Sequence, residues 1–107
     1  MPEQHKRFET VINDLGDIVR VVIVREGKQV LSFVAQYEVM IDNEPRPALR
    51  YDTAHGFAHR DVLGWDGRTV RWDRMREVDY ATALTEAVDD LMDNWDRHRA
   101  EFLRRRR

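Results

Sequence analysis

From Asp17 onward the apolar positions alternate with a period of two, and near residue 80 the spacing changes to three or four. Residues 18–25 are rich in β-branched side chains and read as a strand. Glu26-Gly27-Lys28-Gln29 reads as a tight turn. Residues 30–41 form a second strand whose Leu31, Phe33, Ala35, Tyr37, Val39 and Ile41 share one face. With Gly27-Lys28 as a two-residue turn, Val24 faces Leu31 and Val22 faces Phe33, so the apolar faces coincide. Residues 42–47 carry Pro45 and Pro47 and are expected to loop. Residues 48–54 and 58–65 form a hairpin around His55-Gly56-Phe57. Asp66-Gly67 then signals a type I′ turn into a short fifth strand at 68–73.

The C-terminal segment has the other period. Ala81, Leu84, Val88, Leu91, Met92, Trp95 and Phe102 recur every three or four residues, with Asp79 placed to cap the first turn. One amphipathic helix over 79–103 follows, with a basic tail at 104–107. The first sixteen residues fit two readings: a short helix through Phe8, Val11, Ile12 and Leu15, or an edge strand over 7–12. The expected architecture is a single α+β domain. An antiparallel meander of about five strands over 17–73 carries one long helix on its apolar face.

Composition narrows the function classes. The 107 residues fit one domain and include no cysteine, which excludes disulfides, thiolate metal sites and cysteine nucleophiles. No apolar run reaches the ~20 residues of a membrane span, and the polar first ten residues lack a signal peptide's apolar core. A cytoplasmic location is expected. The net charge of −2 argues against a generic polyanion binder. Of 18 basic residues only Lys6 and Lys28 are lysines, and arginine suits bidentate phosphate or carboxylate contacts. A GC-rich genome would enrich arginine equally.

The candidate chemistry is concentrated in residues 50–61, which hold two of the four histidines. Pairing Ala54 with Ala58 across a three-residue loop sets Tyr51, Thr53, His59 and Asp61 on one face. Asp52 and Arg60 then form an ion pair on the other, with His55 at the tip. Such a set could hold a divalent cation through His59, Asp61 and His55. It could cleave phosphodiesters with a histidine as general acid or base, or bind RNA bases at the loop tip. It could also be a self-satisfied structural cluster. The acidic helix positions Glu86, Asp89, Asp90, Asp93 and Asp96 fit a solvated face or a surface for a basic partner. The terminal arginines fit phosphate binding or a solvated tail.

The run RYDTAHG, the following HRD, the DG turn and the helix with ALTEAVDDL and NW resemble an uncharacterised family of small prokaryotic proteins. The resemblance covers residues 30–102. The RYDxAH core is also similar to a segment of the TumE-like toxins of toxin–antitoxin operons, although Thr53 stands where those toxins carry Asn and their His-rich continuation is absent.

That resemblance implies a toxin–antitoxin component acting on RNA. In that reading His59, His55, Asp61 and Tyr51 carry catalysis, and Arg50, Arg60 and Asp52 hold the substrate, without a metal or other cofactor. The alternative is a non-enzymatic protein- or nucleic-acid-binding module. The expected partners are RNA and a small cognate protein, or a second copy of the chain, and not a membrane.

Overall fold

The computed structural model describes residues 2–106; Arg107, the last residue of the expected basic tail, lies outside them. Six strands and two helices follow one another: β1 Gln4–Val11, β2 Ile18–Glu26, β3 Gln29–Ile41, β4 Glu44–Asp52, β5 His59–Leu63, β6 Thr69–Arg74, α1 Tyr80–Asp93 and α2 Trp95–Arg104. All neighbouring strands are antiparallel and lie in sequence order, an uninterrupted meander. The α+β class is therefore as expected. The sixth strand is β1, the edge-strand reading of the N-terminal segment, and all eight of its residues are exposed.

The helix differs from expectation, being two short helices rather than one long one. Asp79 caps α1 as expected, its carboxylate accepting from the Thr82 N–H at 2.8 Å. At Asn94 the backbone leaves helical geometry (φ −123°, ψ 18°), and the side-chain amide donates back to the Asp90 carboxylate at 2.8 Å. Asparagine competes for nearby polar groups in this way and is a poor helix former. Ala83, Ala87 and Leu91 of α1, with Phe102 of α2, then pack on Val19, Val21, Phe33, Ala35, Tyr37, Leu49, Tyr51 and Val62. Among the described residues no helix is long and apolar enough to cross a membrane.

Two local expectations change for physical reasons. The β2–β3 turn closes at Glu26 opposite Gln29, but a bulge next to it pairs Val24 with Ser32 and Ile23 with Phe33. Val19 and Val21 therefore face the core, and Val22 faces away from it. Four consecutive apolar residues, Val21 to Val24, give β2 no alternation that could fix its face. The loop expected at 42–47 is also shorter than that. Asp42 and Asn43, both at positive φ (52° and 65°), make the turn, and Pro45 and Pro47 lie inside β4. Both prolines are tolerated because β5 pairs with β4 only from Leu49 onward, so this part of β4 is an edge. The turn before β6 shows the converse: only Gly67 has positive φ (83°), so Asp66-Gly67 is not a type I′ pair.

Candidate functional site

The hairpin that carries the reactive residues closes one register step from the expected one. Asp52 faces His59, Tyr51 faces Arg60, and Arg50 faces Asp61. The cause is at the end of β4. The Asp52 carboxylate accepts from the Ala54 N–H at 3.0 Å, which turns the chain before Ala54 can pair. Thr53 leaves the ladder and its hydroxyl accepts from the Phe33 N–H at 3.1 Å. Gly56, at φ 83°, closes the six-residue loop by donating to the Thr53 carbonyl at 3.1 Å. A one-residue shift exchanges the faces of a strand.

Asp52, His59, Asp61 and Arg50 now share the face that no helix covers, and Tyr51 and Arg60 face the helices. On the helix side, the Tyr51 hydroxyl donates to Asp90 at 2.5 Å. His98 Nε2 meets the same carboxylate at 2.9 Å. Burial, then the bond to Asp90, pushes the Tyr51 hydroxyl well above its ordinary range. Burial opposes ionisation of Asp90, but the bonds from His98, Tyr51 and Asn94 outweigh it and hold the carboxyl well below the usual carboxylate range. Arg60 pairs with Asp73 at 2.8 Å rather than with Asp52.

On the helix-free face His59 is only 3% exposed. The 53–58 loop and Trp72 cover it: its ring centroid lies 5.2 Å from that of His55, 5.5 Å from Phe57 and 6.3 Å from Trp72. Nδ1 of His59 faces the Phe57 carbonyl at 3.3 Å. Nε2 faces two carboxylates, Asp52 Oδ1 at 3.0 Å and Asp61 Oδ2 at 3.5 Å. Beside this group opens a pocket of about 430 Å³ lined by His55, Phe57, His59, Asp61, Thr69 and Trp72. The Arg74 guanidinium lies 4.4 Å from the Phe57 ring centroid. Arg50 lies on this face too, but its Nε donates to Gln36 at 2.8 Å.

A model of the family described as "Domain of unknown function (DUF7718)" matches residues 1–107. The chain belongs to the DUF7718 family. No curated protein and no solved structure matches it.

In this DUF7718 chain, then, four of the seven sequence-predicted site residues are clustered: Asp52, His55, His59 and Asp61. Arg50 shares their face, while Tyr51 and Arg60 belong to the helix-side network. Sequence reasoning missed Trp72 and Arg74, which face Asp61 and His59 across the β5–β6 ladder. The signal was available in the alternation Trp72-Asp73-Arg74 beside an HxD strand, once the register is known. Reasoning also missed the Asp90–His98 contact, because Asn94 breaks the helix between them.

The basic tail is partly docked. Arg105 Nε donates to the Leu63 carbonyl at 2.9 Å, and Arg106 lies 4.9 Å over the Trp65 ring. Trp65 itself stacks on Phe102 with ring centroids 5.3 Å apart.

Proposed function

We propose that this chain cleaves phosphodiesters of single-stranded RNA in the cytoplasm, as the toxin component of a toxin–antitoxin pair, with its active centre on the helix-free face of β4–β6. The observation that carries this reading is the exposed His55 ring beside the buried His59, at the mouth of an aromatic-walled pocket. His55 takes the proton of the attacking hydroxyl, a task for which histidine is suited near neutral pH. Phe57 and Trp72 offer flat faces on which an unpaired base can stack. Arg74, over the Phe57 ring, supplies a cation for a phosphate seated there. Asp52, His59 and Asp61 form the fixed centre against which His55 is held. Tyr51 and Arg60 take no part in the proposed chemistry.

The test is cleavage of a mixed-sequence single-stranded RNA by purified protein, read on a gel. His55→Ala is expected to lower the rate about 10²–10⁴-fold, the usual worth of a general acid or base, with the circular dichroism spectrum unchanged. If His55→Ala cleaves as fast as the native chain, the reading fails.

A second reading, a non-enzymatic pairing module, is favoured by β1. Its eight residues are all exposed, its outer edge is unpaired within the sheet, and Phe8 and Val11 are 52% and 66% exposed. An open strand of this length is a template for pairing with another chain. A second copy adding there, edge to edge, is the simplest such partner.

A further inference from the structure

We infer that Asp52, His59 and Asp61 form a binding site for one divalent transition-metal cation, of the zinc or manganese class. The first ground is geometry. The three residues each turn one ligand atom toward a common point, and these atoms all lie within 4.8 Å of one another. Around a tetrahedral ion at ~2.0–2.2 Å from each ligand, neighbouring ligand atoms stand about 3.3–3.6 Å apart. Of the His59 Nε2 separations, that from Asp61, 3.5 Å, falls within that spacing and that from Asp52, 3.0 Å, lies just below it.

The second ground is the orientation of the imidazole. Metal-bound histidines commonly donate their other ring N–H to a carbonyl or carboxylate, which fixes the tautomer. Here Nδ1 faces the Phe57 carbonyl, leaving Nε2 to point at the carboxylates. With the proton on Nδ1, the Nε2 lone pair and two carboxylates converge on one volume, an arrangement that a bound cation satisfies.

The third ground is charge. Asp52 is 8% exposed and the Asp61 side chain 17%. Among the described residues, no Arg or Lys lies within 4 Å of either carboxylate, and His59 is the one basic partner of both. Two carboxylates that share one imidazole leave at least one of them without an Arg or Lys in contact, in a half-buried place. Buried charges of this kind are normally paired or coordinate metals. The ligands sit on rigid strand positions, Asp52 ending β4 and His59 and Asp61 on alternate positions of β5. The pocket side stays open for water. One imidazole with two carboxylates favours zinc or manganese over magnesium, which prefers oxygen alone.

The experiment is calorimetric titration of the full metal-free chain with Zn²⁺, Mn²⁺ and Mg²⁺ separately. One equivalent of Zn²⁺ or Mn²⁺ is expected to bind, with Mg²⁺ weaker. Asp61→Asn and Asp52→Asn, close in shape to the native residues, are expected to weaken binding by more than about 100-fold, beyond the 10–100-fold typical of losing a supporting group. His5→Ala, at an exposed histidine on β1 beside Glu3, is expected to bind like the native chain. Asn variants that keep the native circular dichroism spectrum and native affinity overturn the inference. So does a native chain that takes up none of the three ions, or binding that disappears in His5→Ala. The inference is separable from RNA cleavage. Binding without cleavage removes only the RNA reading, and cleavage that persists in a chain that binds no ion removes only the metal.

Discussion

Asp17→Ala tests the logic of the fold most severely. Asp17 is fully buried and sits between β1 and β2. Its carboxylate accepts from the Tyr37 hydroxyl at 2.6 Å, the Met40 N–H at 2.8 Å, Asn13 Nδ2 at 3.0 Å and Arg99 Nε at 3.1 Å. One side chain therefore ties the β1–β2 turn, β3 and α2 together. Removing it strands the fully buried Tyr37 hydroxyl and leaves the Arg99 cation without its carboxylate.

Deleting one partner of a buried ion pair costs about 3–5 kcal/mol. The Arg99 side chain keeps 21% exposure and can reach water, so the lower part of that range, about 3–4 kcal/mol, applies. A domain of this length holds roughly 5–15 kcal/mol in total. At about 4–8 °C per kcal/mol, the melting temperature is expected to fall by roughly 12–32 °C. Chemical denaturation followed by tryptophan fluorescence measures the loss directly. Adding Arg99→Met to Asp17→Ala removes the stranded cation and is expected to recover part of it, which a double-mutant cycle reports as coupling. A loss below about 1 kcal/mol for Asp17→Ala, the scale of a single ordinary hydrogen bond, would refute the argument that this carboxylate holds three elements together.

Two further predictions concern acid and association. The Asp90 carboxyl lies below its unfolded value, so its contribution is present above about pH 4 and is lost as the pH falls from there toward the folded value. Acid titration of stability is expected to show that loss in the native chain and a shallower slope in Asp90→Asn; equal slopes would show that the Tyr51 and His98 bonds do not hold the charge. If β1 pairs with a second copy, light scattering gives a dimer that Phe8→Glu converts to monomer. A native chain that stays monomeric removes that reading.

The sequence carried the class, the strand order, the helix cap and the apolar face of β3, because each rests on a local period or a local hydrogen bond. The registers next to β3 were harder to read. In β2 the continuous apolar run says nothing about face, and the bulge beside Arg25 decides it. In the β4–β5 hairpin the deciding contact is between the Asp52 side chain and the Ala54 N–H. A residue-type pattern does not distinguish that turn from a three-residue loop one step further on. The candidate site inherited this difficulty: its residues were visible as a cluster in sequence, while their division between two faces depended on a single register step.

That register step bears on whether the cluster is a site at all. In the alternative register Asp52 stands opposite Arg60, and the hairpin satisfies its own charges. In the observed register Arg60 crosses to the helix side and pairs with Asp73. Elsewhere on the helix-free face the polar side chains pair with one another. Arg20 pairs with Glu38 and Glu9, Gln36 donates to Glu38, and Arg50 donates to Gln36. Arg74 lies over the Phe57 ring, with no carboxylate within 4 Å among the described residues. Arg50, opposite Asp61 on β4, and Arg74, opposite His59 on β6, therefore flank the two carboxylates on this face, but among the described residues neither guanidinium comes within 4 Å of them. A hairpin that served only the fold would gain by closing one step further on and pairing Asp52 with Arg60. That it closes on His59 instead, and packs two carboxylates around that imidazole, is the physical reason to look there for a bound cation before looking anywhere else on the molecule.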